Sequence, residues 1–116
     1  MKGEKRPFKV RFFKVEGRSF TCPSTTLPIG SIVAMIPSGE KVDPKKLYRF
    51  VIDEKGKTHT ISYKWMKKLD SLTVHYIRKP LMTHNQEVLV QIAMAREVLQ
   101  SFIENFENDN ANESED

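Results

Sequence analysis

Apolar and basic side chains alternate along Phe8-Lys9-Val10-Arg11-Phe12, the two-residue period of a half-buried strand. Pro7 ends a basic N-terminal arm before it. Glu16-Gly17-Arg18-Ser19 reads as a turn and residues 18–22 as a short second strand. Residues 23–28 form a loop, because their two prolines cannot donate to a central ladder. Residues 30–36 read as a third strand, closed by Pro37-Ser38-Gly39. The clearest signal is a hairpin: 47–52 and 58–66 flank Asp53-Glu54-Lys55-Gly56-Lys57, with Gly56 where a positive φ is expected. Residues 67–70 make a tight connection to a last strand, 72–77, and Pro80 stops it.

After Pro80 the period lengthens. Thr83 and Gln86 fit a capping box. Val88, Ile92, Ala95, Leu99, Phe102 and Phe106 then recur every three or four residues, one helical stripe that Leu89, Met94, Val98 and Ile103 widen. The spacing predicts a helix over 83–107 of about six or seven turns. Residues 108–116 hold no large apolar side chain and are expected to be a disordered acidic tail. The stripe has two destinations: the sheet of its own chain, or the same helix of a second copy in a homodimer.

These elements give a mainly β chain with one C-terminal helix, an α+β class. The expected form is a small curved antiparallel sheet, or an SH3-like or OB-like partly open barrel, spanning 1–82. About 70 residues of strand and turn suit the SH3-like form better. The alternations put Phe8, Val10, Phe12, Tyr48, Phe50, Ile52, Ile61, Tyr63, Trp65, Leu72, Val74 and Tyr76 inward. They put Lys9, Arg11, Phe13, Arg49, Thr60, Ser62, Lys64, Thr73 and His75 outward.

Charge divides the chain at the same place. Residues 1–82 hold 18 Lys and Arg against 7 Asp and Glu, a net of +11. Residues 83–116 hold one cation, Arg96, against 8 acids, a net of −7. A basic sheet face with hydroxyls and a ring suits a nucleic-acid backbone: cations neutralise phosphates and a ring stacks on a base. The expected partner is DNA or RNA. Lys9, Arg11, Arg49, Lys64, Lys67 and Lys68 are the phosphate contacts and Phe13 the stacking ring. Loop cations Lys45, Lys46, Lys55 and Lys57 add to the field. The acidic end is either a solubility element or a competitor for the basic face. The alternative function is a protein-interaction module or inhibitor. It would dock on a larger partner complex through the basic face, set against an acidic surface of the partner, or through the C-terminal helix.

Nothing in the sequence calls for catalysis. Cys22 sits beside Pro23, and nothing near it in sequence lowers its pKa. His59, His75 and His84 lack metal-ligand spacing, and the five glycines form no phosphate loop. No enzyme activity, metal or cofactor is expected. The apolar runs are too short for a membrane span, and the N-terminus lacks the pattern of a secretory signal. With one cysteine, the expected location is the cytoplasm.

Overall fold

A computed structural model of the chain describes residues 3–17, 27–36 and 48–114. The 18–22 strand, Cys22, Lys45 and Lys46 lie outside them. The described residues form strands Glu4–Val15 (β1), Ile32–Met35 (β2), Tyr48–Ile52 (β3), Thr58–Ser62 (β4) and Met66–Arg78 (β5), then helix His84–Ser114 (α1). One antiparallel sheet holds all five strands in the order β4-β3-β2-β1-β5. A single 3-10 turn, Tyr63–Trp65, joins the two edge strands. The result is a curved, open sheet with one C-terminal helix, the α+β class read from the sequence.

The sheet is buried on both faces, over different stretches. The face under α1 carries Phe8, Val10, Phe12, Ala34, Ile52 and Tyr76, which pack against Ala95 and Leu99 of the helix. The Phe12 and Phe102 rings stack at 4.3 Å, and Phe102 stacks on Phe106 at 6.0 Å. Ile92 and Phe102 of the helical stripe join this core, with Val88 and Phe106 half-buried. The stripe thus lies against its own sheet. The opposite face closes over a second core of Phe13, Val15, Leu27, Val33, Val51, Ile61 and Met66, with Met35 and Trp65 at its margin. Each such side chain contributes roughly 1.5–3 kcal/mol when fully buried.

The local chemistry explains the ends of the elements. Thr83 caps α1: its Oγ1 accepts from Gln86 N–H at 3.2 Å and its N–H donates to Gln86 Oε1 at 2.9 Å. The helix continues to Ser114, so the tail expected from Asn108 is helical backbone for most of its length. The hairpin turns at Gly56, φ +82°, a conformation without penalty only for glycine. Asp53 Oδ1 accepts from the Lys55 and Lys57 N–H groups at 2.9 Å, and Oδ2 accepts from His59 Nε2 at 2.8 Å. Burial raises the Asp53 pKa, but these hydrogen bonds outweigh it and hold the carboxyl below its usual value. Arg96 and Gln100 of α1 both donate to Glu54 O, at 3.4 and 2.7 Å, and tie the helix to this turn.

At its N-terminal end, α1 is tied to the sheet by Glu87. Tyr76 Oη donates to Glu87 Oε1, and Arg78 Nε donates to Oε2 at 3.4 Å. Arg6 approaches Oε1 to 3.8 Å while also pairing with Glu4. The Tyr76 hydrogen bond is the main reason the Glu87 carboxyl is held below its usual pKa. Burial, and then the bond to Glu87, push the Tyr76 hydroxyl up.

Several side chains differ from the sequence expectation. Phe13 is 1% exposed and lies in the second core. The tight curl of the sheet there buries both faces of β1. Tyr63 is 48% exposed, because residues 63–65 form a 3-10 turn in which strand alternation no longer applies. Phe50 is exposed and Ser62 buried. Phe50 pairs with Thr60 on the helix side, but at the sheet edge away from β1. Leu72 is 46% exposed, since α1 covers only part of edge strand β5.

Candidate nucleic-acid interface

Twelve residues of β1 lie along β5, and their pairing sorts the cations by face. Directly opposed residues share a face, and neighbours in a strand take opposite ones. Lys5 pairs with Ile77, Pro7 with His75, Lys9 with Thr73 and Arg11 with Ser71. All stand on the face away from α1, and all but half-buried Ser71 are exposed. Their neighbours Arg6, Phe8, Val10 and Phe12 take the helix face. Among the described residues, the outer face of this ladder carries no acid, while Glu4 and Asp70 belong to the helix face.

The outer row is therefore a continuous cationic strip. Lys5 and Arg11 are six residues apart, about 20 Å along the strand. Lys9 lies between them, roughly 7 Å from Arg11. Lys9 and Arg11 lie within one Debye length at physiological salt, about 8 Å, and act as one field, while Lys5, about 13 Å from Lys9, extends the strip to a further phosphate. None of the three makes an ion pair with an acid among the described residues. Arg6, in contrast, pairs with Glu4 and Glu87, and Arg78 meets Glu87 through Nε. Hydroxyls of Ser71 and Thr73 and the His75 ring stand beside the cations.

The expected contact residues separate on this geometry. Lys9 and Arg11 are in the strip. Lys68 stands opposite Phe13, on the same face at its far end. Lys67 stands opposite Lys14 and so takes the helix face. The extra residue in β5, Leu69, falls between Lys68 and Asp70 where the register shifts. Arg49 lies on the outer face across from Ile61, with its guanidinium 5.4 Å from the Tyr63 ring centroid. Lys64 sits in the 3-10 turn with Nζ 5.0 Å from the Trp65 ring.

Phe13 is enclosed and cannot receive a base. The exposed ring nearby is Tyr63, which packs edge-to-face with Phe13 at 6.0 Å between centroids. Lys5, Ser71 and Tyr63 are the members that sequence reasoning missed. Lys5 continues the spacing of Lys9 and Arg11, but Pro7 concealed the strand. A proline is tolerated there because β2 pairs only with residues 11–14 of β1, leaving one side of Pro7 without a ladder.

The exposed acids described on α1 lie on the other side of the sheet. Glu97, Glu104 and Glu107 are exposed on α1, which covers the opposite face of the sheet. The exposed acids of α1 and the outer strip thus stand on opposite sides of one sheet, while Arg6, Lys14, Lys67 and Arg78 share the helix side.

Among the described residues no group of three His, Cys, Asp or Glu side chains forms a metal-binding cluster. No described helix is long and apolar enough to cross a membrane. No family model, curated protein or solved structure matches the chain.

Proposed function

We propose that the chain binds nucleic acid through the outer face of the β1–β5 ladder. The observation that carries this is the strip Lys5, Lys9 and Arg11, free of acids and set opposite an acidic helix. Lys5, Lys9, Arg11 and Lys68 neutralise phosphates, and Ser71 and Thr73 donate hydrogen bonds to the backbone. Tyr63, half exposed beside Arg49, is the ring available for stacking, in place of Phe13. The strip is built mainly of lysines and hydroxyls, with Arg11 its one guanidinium fork, so binding is chiefly backbone-directed and weakly sequence-dependent. The acidic helix turns the opposite side of the molecule away from a polyanion.

The test is fluorescence anisotropy of the full chain with labelled single-stranded DNA, RNA and duplex DNA at low salt. Binding that weakens about 10-fold or more in Lys9→Glu/Arg11→Glu is expected. Absence of binding to all three probes removes the reading. Weak binding that is indifferent to the double reversal, with capture of one acidic protein insensitive to nuclease, points instead to an interaction module.

A further inference from the structure

The geometry points to a second surface, the free edge of β5, and to its occupant: β5 of a second copy in antiparallel register about Val74. β5 has thirteen residues, far longer than a typical strand of five or six. Among the described residues it pairs with β1 alone, and none of them pairs with its other edge. Proteins protect such edges with lysines, bulges or short strands. Here Lys67, Lys68 and the extra residue Leu69 protect one end only. From Ser71 to Ile77 the edge has no Asp, Glu, Lys, Arg, Pro or Gly, and its composition favours strand. Two apolar side chains on it are left in solvent, Leu72 at 46% and Ile77 at 51%.

Self-pairing has one register that satisfies charge as well as packing. A two-fold axis through Val74 sets Val74 against itself, Leu72 against Tyr76 of the second copy, and Asp70 against Arg78 of the second copy. These residues alternate along β5, so all share the helix face. Apolar pairs occupy the centre, and opposite charges close both ends. Moving the axis by one residue to Thr73 takes Asp70 from Arg78 to Tyr76 and, past the extra residue Leu69, brings Lys67 opposite Arg78, a repulsive pair on the helix face. The axis through Val74 leaves Lys67 and Lys68 beyond the paired segment. A two-fold of this kind keeps each face on the same side. The outer strips of the two copies then join into one surface, and both helices lie on the other side. The edge needs no nucleic acid to pair, so this dimer stands or falls apart from the binding reading.

Sedimentation equilibrium of the full chain without nucleic acid tests it. The expected result is a monomer–dimer equilibrium in the micromolar range. Asp70→Lys and Leu72→Lys, each checked for native circular dichroism, weaken it about tenfold or more. In a Cys22→Ser background, Val74→Cys forms an oxidised dimer and Leu72→Cys does not, because only residue 74 meets itself. A monomer at every concentration overturns the proposal. So does a dimer that both lysine variants leave intact, or one that cross-links through Leu72→Cys and not Val74→Cys.

Discussion

Phe12 and Phe13 are adjacent in the chain and buried in different cores. Phe12 stacks on Phe102 beneath the helix, while Phe13 meets Tyr63 on the opposite face of the sheet. β1 is thus the element on which both halves of the molecule depend. The same strand carries Lys5, Lys9 and Arg11 where its outer face emerges into solvent.

Phe13→Ala separates a packing role from a binding role. Phe13 is enclosed among Val15, Val33 and Ile61, and its removal leaves a cavity. The expected loss is about 3–5 kcal/mol in urea unfolding. The affinity of the fraction that remains folded is unchanged. A full loss of binding with native stability would mean that the ring contacts ligand.

Gly17 lies against Trp65: a Cβ there would stand 2.4 Å from the indole Cε3. Gly17→Ala forces the ring to move and costs about 1–3 kcal/mol. Trp65 is the sole tryptophan, so its fluorescence reports the displacement directly. An unchanged spectrum and melting temperature would show that the space is available.

The Glu87 contacts make helix docking depend on pH. The folded-state pKa of Glu87 is depressed, so its contribution is complete above the unfolded value, about 4.3. It disappears as pH falls through the lower folded value. Glu87→Gln is therefore less stable than the parent at neutral pH, and the gap closes under acid. Urea midpoints of both proteins against pH give the comparison. A gap that stays constant would show that the charge of Glu87 is immaterial.

Asp53 organises the hairpin turn through Lys55, Lys57 and His59, the same turn that α1 grips at Glu54. Asp53→Ala removes hydrogen bonds to a charged acceptor, a loss of about 1.5–3 kcal/mol. Thermal unfolding at neutral pH measures it. The lost stability is also acid-sensitive in the parent, because the Asp53 pKa is depressed on folding.

Much of the fold was legible because local chemistry and tertiary structure agree. The alternation through Phe12, the turn at Gly56 and the Thr83–Gln86 box each specify their element unaided. What was hidden depends on curvature. The Phe12-Phe13 pair breaks a two-residue period, and only a sheet buried on both faces satisfies both rings. Tyr63 and Trp65 continue the alternation of β4 on paper but belong to a turn. Lys9 and Arg11 could be read from their spacing. Lys67 and Lys68 could not be separated without the pairing that sends them to opposite faces. The position of the acidic segment relative to the strip is likewise a property of the packed helix.

The face assignment itself is tested by two pairs of equal charge. Lys9→Ala/Arg11→Ala removes two cations from the outer strip. Lys14→Ala/Lys67→Ala removes two from the helix face, where they stand directly opposite each other. The measurement is the slope of log affinity against log salt for a labelled oligonucleotide. The first pair is predicted to lower the slope by about 1.4 on single strands, or about 1.8 on duplex, and the second to leave it nearly unchanged. Equal losses from both pairs would mean that net charge, and not this face, attracts the nucleic acid.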